Sequence, residues 1–108
     1  MLLVCNSICT HETTALDIMI HPEDHNTIYE NEVAFSVSAS GPGILSYQWM
    51  KDGEAIIGDG YIGANLPTLH ISNFTMEHEG QYVCVVSRQN CSLMSKPGNL
   101  KGTGTFFF

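Results

Sequence analysis

Basic side chains are scarce in this sequence: four Lys and Arg stand against eleven Asp and Glu in 108 residues, a formal charge of −7. That sign is wrong for holding a phosphate backbone, so nucleic acid and anionic lipid are excluded as default partners. Long apolar runs are missing as well. The longest candidates, Met1 to Cys5 and Phe106 to Phe108, fall far short of the ~20 residues that span a bilayer, and no membrane insertion by this chain is expected. The start has no basic flank, and its apolar run stops at Asn6, short of the ~7 to 15 residues of a signal h-region. An extracellular domain would therefore carry its signal or anchor elsewhere on a larger gene product. Four cysteines are too few for a disulfide scaffold but enough for one or two bridges, which leaves the compartment open. What remains, with 44% hydrophobic residues, is a chain the size of one small domain that buries its own core without a metal.

The dominant period is two. From Val33 to Ser40 every odd position is apolar and nearly every even one small or polar, which predicts a half-buried strand that ends at Gly41-Pro42-Gly43. Leu45, Tyr47 and Trp49 share the face of a second strand, closed by the tight-turn dipeptide Asp52-Gly53. Ile56 and Ile57 among glycines suit a short edge strand. Alternation returns at Leu69 and Ile71, and again at Tyr82, Cys84 and Val86, with one helical turn predicted between them at Thr75 to Gly80. Residues 91 to 100 read as a last strand interrupted by Pro97-Gly98, and Ile18, Ile20, Ile28 and Tyr29 as a first strand split near Pro22. Strands spaced this regularly, almost without helix, predict an all-β antiparallel sandwich. Residues 1–16 form an unpatterned leader or inter-domain segment, 17–102 the domain and 103–108 a tail.

Three stretches, Tyr47-Gln48-Trp49-Met50-Lys51-Asp52-Gly53, Leu69-His70-Ile71 and Glu79-Gly80-Gln81-Tyr82-Val83-Cys84, together resemble the immunoglobulin-like family, and its I-set-type tandem repeats in particular. The resemblance spans about residues 17 to 101 and implies a β-sandwich of about seven strands. It makes Trp49 the filler between sheets and Tyr82 a tyrosine corner, both structural. Val37 stands where the family has its first core cysteine, so the usual inter-sheet bridge to Cys84 is absent, along with the ~2 to 5 kcal/mol such a bridge supplies. At the other end, Lys101-Gly102-Thr103 follows Leu100 where the family continues with an inward apolar residue. A substitute bridge, Cys84 to Cys91, is a candidate: with a four-residue loop at Ser87 to Asn90, Val86 opposes Cys91 and Cys84 lies diagonal to it, about 7 to 8 Å away. A three-residue loop turns Cys91 to the other face, leaving two separate thiols.

Chemistry-bearing clusters are few. His21-Pro22-Glu23-Asp24-His25 gathers metal-ligating types, but Pro22 opposes the helix that would align the two histidines, and an exposed polar loop is the preferred reading. Cys5 and Cys9 lack the second pair of a structural zinc site. His70 and His78 are single histidines with local loop roles. With no phosphate loop, nucleophile elbow or metalloprotease helix, no enzyme and no cofactor are expected. Asn73-Phe74-Thr75 and Asn90-Cys91-Ser92 fit the N-glycosylation pattern. The face opposite Tyr47, Trp49, Tyr82, Cys84 and Val86 carries Gln48, Met50, Val83 and Val85, an apolar surface for so acidic a chain. It is the candidate contact face for a partner protein or an identical copy, the plainer reading being that valines simply suit strands. The expectation is a non-catalytic binding or spacer module of a longer cell-surface or adhesion-type protein. An intracellular structural or adaptor repeat in the cytoplasm is the alternative.

Overall fold

The computed structural model describes residues 16–103 except 42, 59, 89 and 90. Ten short strands and one 3-10 turn follow in order: β1 (Asp17–Ile20), β2 (His25–Thr27), β3 (Val33–Ser36), β4 (Ser38–Ser40), β5 (Ser46–Lys51), β6 (Glu54–Ala55), β7 (Thr68–Ile71), the turn Met76–His78, β8 (Gly80–Arg88), β9 (Cys91–Met94) and β10 (Gly98–Gly102). One layer runs β2-β10-β8-β5-β6, with β9 also on β8; the other comprises the ladders β1-β4 and β3-β7.

The strand expected over residues 33–40 is broken at Val37 into β3 and β4. Its first half pairs with β7 and its second with β1, while the Val37 N–H crosses to Pro67 O at 3.0 Å. The first strand is split as expected: β1 lies in one layer, and after Pro22 the chain crosses to the other, where β2 pairs parallel with β10. Proline has no N–H to continue a ladder, so this is where the chain changes sheets. Asp52 and Gly53, both at positive φ (50° and 87°), join β5 to β6 in the two-residue turn that Asp-Gly favours.

Alternate residues of both layers meet in one core. Phe35, Trp49, Leu69, Ile71, Phe74, Tyr82, Cys84, Val86 and Leu100 are at most 1% exposed. Phe35 stacks on Tyr82 at 4.7 Å between ring centroids and lies tilted to Trp49 at 6.3 Å, so aromatic contact joins the two sheets where a disulfide does not. Trp49 donates its indole N–H to Leu66 O at 2.8 Å, and Tyr82 donates its hydroxyl to His78 O at 2.5 Å. Both side chains are fully buried and each carries its polar atom to a backbone carbonyl. Phe74 joins the core although no alternation in the sequence marks it.

Leu100 is buried, and two residues on, Gly102 takes the inward position where the family has an apolar side chain. The Tyr29 ring fills that space. A Cβ at Gly102 would overlap it. Tyr29 donates to Glu79 Oε2 at 2.7 Å, the same oxygen that accepts the Gly102 N–H at 2.7 Å. The truncated last strand is thus completed by an aromatic ring from the turn after β2.

The Cys84–Cys91 bridge does not form, and that expectation is corrected. Arg88 pairs with Cys91, so the ladder runs two residues beyond Val86 on β8, and Leu93, not Cys91, faces Val86. Ser95 then lies opposite Cys84: its N–H reaches Cys84 O, and its hydroxyl accepts the Cys84 N–H, both at 2.9 Å. Cys91 is four residues further along the ladder, roughly 13 Å at strand rise, where a disulfide needs Cα atoms about 4.4 to 6.8 Å apart. Cys84 is a buried free thiol, pushed up to about 12 by burial. Cys91 is disulfide-bonded, to a partner outside the described residues.

Candidate protein-contact face

Inward burial of Trp49, Tyr82, Cys84 and Val86 forces their neighbours on β5 and β8 to the opposite face, because side chains alternate across a strand. The antiparallel register then sets rows. Gln48 faces Val85, which faces Met94 on β9; Met50 faces Val83 on one side and Ala55 on the other; Ser46, Ser87 and Ser92 form a third row. The four residues singled out in the sequence therefore share one surface of the six-stranded layer. Gln48, Met50, Val83 and Val85 are half-buried, since flanking side chains shield a flat strand surface, and Met94 beside them is 62% exposed.

Met94 is the member that sequence reasoning missed. Its signal was present in the alternation of Cys91, Leu93 and Ser95 against Ser92 and Met94. Gln48 differs from the others in being engaged. Its side-chain N–H donates to Trp49 O at 2.8 Å, and its carbonyl accepts from Asn65 Nδ2 at 3.1 Å, so it anchors the sheet edge as well as lying on the face. No formal charge lies among Gln48, Met50, Val83, Val85 and Met94.

The other candidate residues have structural partners. His21 Nδ1 accepts the Lys96 N–H at 2.9 Å, and the neighbouring Asp24 carboxylate accepts the Asn99 N–H at 2.8 Å. His25 packs its ring edge-on to Phe35 at 5.0 Å. The polar loop between β1 and β2 is thus tied to the last strand, and among the described residues no three His, Cys, Asp or Glu side chains converge as a metal site. His70 lies on β7, its backbone bridging Ile62. His78 Nδ1 accepts the Thr75 N–H at 2.9 Å, closing a capping box on the 3-10 turn, and burial holds its pKa below the usual histidine value. Asn73 is exposed in the bend after β7. Cys5, Cys9, Asn90 and Phe106 to Phe108 lie outside the described residues. No helix among those described is long and apolar enough to cross a membrane.

The immunoglobulin domain family model matches residues 17–87. The chain belongs to the immunoglobulin domain family. No curated protein matches it in sequence. Among solved structures, the N-terminal Ig1-2 module of the Drosophila receptor protein tyrosine phosphatase DLAR is similar over 87% of this chain and 50% of that one, at 22% identity and a TM-score of 0.73. The titin M4 domain is similar over 86% of this chain and 100% of that one, with 16% identity and a TM-score of 0.72. The four N-terminal Ig domains of Dscam1 isoform 4.44 match over 83% of this chain and 21% of that one, at 30% identity and a TM-score of 0.69. The chain accordingly spans about half of the DLAR module and all of a single titin domain. As an immunoglobulin domain it resembles Ig domains of a receptor protein tyrosine phosphatase and of titin.

Proposed function

We propose that this immunoglobulin domain is a non-catalytic protein-binding module whose β5–β8–β9 outer face docks a protein partner or a second copy of itself. The observation that carries the reading is the uncharged patch of Met50, Val83, Val85 and Met94, with Gln48 at its edge, on a domain of formal charge −7. Thioethers adapt their shape to a partner, and apolar side chains gathered in adjoining rows of one sheet face suit an interaction site. The domain proper runs over residues 17–102, with a leader before it and a tail after it, as one repeat of a larger cell-surface or adhesion-type chain.

Two features support placement outside the cytosol. Cys91 is disulfide-bonded, which suits an oxidising compartment, and the exposed Asn73 heads an acceptor sequence for N-glycosylation. Asn90 heads the other. The second reading, an intracellular structural or adaptor repeat, is favoured by the core, which holds Val37 and a free Cys84 where an inter-sheet bridge is usual.

The test is Val83→Glu combined with Val85→Lys. Both side chains point away from the core, so the denaturation midpoint should barely move while self-association in the ultracentrifuge or partner recovery falls. Unchanged sedimentation and unchanged partners in the variant would overturn the reading. Expression through a secretory pathway with and without Asn73→Gln separates the compartments: a one-glycan mass difference supports the cell-surface assignment.

A further inference from the structure

Between the turn after β2 and the 3-10 turn before β8, an open cleft of about 450 Å³ is lined by Tyr29, Glu30, Phe74, Thr75, Met76 and Glu77. Its floor is apolar. Tyr29 and Phe74 stack at 4.9 Å and 15° between rings, and Met76 stands 64% exposed beside them, a costly position for a thioether with nothing to cover it. The rim is anionic. Glu30 and Glu77 are both exposed, neither joins an ion pair among the described residues, and no basic side chain lines the cleft. Glu30 is held there in the left-handed region at φ 77°, its N–H pinned to Phe74 O at 2.7 Å, which fixes the backbone that carries one carboxylate beside the turn that carries the other.

We infer that this cleft receives an arginine side chain from a loop of a partner protein, at a site separate from the β5–β8–β9 face. An arginine satisfies both parts of the surface at once. Its methylene stem covers Met76 and the exposed part of the Tyr29 ring, which Phe74 backs from the core, and its planar head, weakly hydrated and built for carboxylates, meets Glu30 and Glu77. An uncharged apolar segment would leave the two carboxylates desolvated without a counter-charge, and an anionic membrane surface is repelled by them.

The test is NMR titration of the domain, labelled at methionine methyls and backbone amides, with the capped tripeptide acetyl-Gly-Arg-Gly-amide. The same peptide with norleucine in place of arginine serves as control. The expected result is a saturable shift of the Met76 methyl and of amides 74–77, with the dissociation constant about tenfold weaker in Glu30→Gln/Glu77→Gln and the norleucine peptide weaker still. Both substitutions are at exposed positions and leave the core intact. Three results overturn the inference: no saturable shift; shifts spread over all carboxylates and unchanged in the double variant; or a Met76 shift that follows domain concentration without peptide, which assigns the cleft to a second copy.

Discussion

The lone thiol at the centre of the sandwich gives a direct readout of how closed the core is. In a variant with Cys5, Cys9 and Cys91 changed to Ser, only Cys84 reacts with an aromatic disulfide reagent. Cys84 is 0% exposed, and burial raises it from 9.0 to about 12. Because the thiolate is the nucleophile, this alone lowers the reactive fraction at pH 8 by about a thousandfold. Exclusion of the reagent adds to that, so reaction requires opening of β8 from β5 and Ser95. For a domain of about 5 kcal/mol stability the open population is on the order of 10⁻⁴. Labelling in native buffer should be at least about 10³-fold slower than in denaturant, and should accelerate with denaturant in parallel with unfolding. Native labelling within about tenfold of the denatured rate, in protein that is folded by fluorescence, would refute the closed core and the register that places Ser95 over Cys84.

Further outcomes are expected of three other residues. Trp49→Ala should cost ~3 to 5 kcal/mol in urea titration, because it leaves a cavity between Phe35 and the sheets and orphans Leu66 O; Trp49→Phe should cost less. Gly102→Ala should lower the denaturation midpoint and raise exchange of the Gly102 and Thr103 amides, since a Cβ displaces Tyr29 from Glu79; pairing it with Tyr29→Ala should restore part of the loss. His78 accepts the Thr75 N–H only when neutral, with Glu77, Glu79, Lys51, Tyr61 and Tyr82 as its titratable surroundings. Its folded pKa lies below the unfolded value of 6.5, so the unfolded chain takes up the proton first. Stability is fully present above 6.5 and falls as pH drops from there toward the folded value. Amide exchange in the Thr75–Glu79 turn should accelerate across that window and should stop doing so in His78→Asp, whose carboxylate keeps the cap.

Much of this fold is legible in single strands and little of it in how they meet. Trp49, Tyr82 and Val86 declare themselves because alternation of period two fixes a face whatever the neighbours are. The position of Cys91 does not, because one or two residues of hairpin loop shift every cross-strand partner, and nothing in Ser87 to Asn90 signals where the chain reverses. Tyr29 filling the place above Gly102 is equally hidden, since a missing side chain in the last strand and an aromatic ring in an early turn become one feature only through the parallel pairing of β2 with β10. On the contact face, Gln48, Met50, Val83 and Val85 follow from parity alone. Met94 was obscured because Pro97-Gly98 drew the whole segment into one interrupted strand, whereas β9 and β10 are separate pieces that both lie along β8. The role of Asn73 depends on compartment, which a domain's internal packing does not encode.

The central claim, that the β5–β8–β9 outer face is the docking surface, is most directly tested by photo-crosslinking from two exposed positions on opposite layers. A benzophenone side chain placed at Met94 samples the proposed face, and one at Ser36 on β3 samples the other. With the domain exposed to intact cells or to itself at high concentration, the account predicts a discrete crosslinked species from position 94, competed away by unlabelled domain but not by the Val83→Glu/Val85→Lys variant, and none from position 36. A discrete, competed product from position 36 with none from position 94 would contradict it.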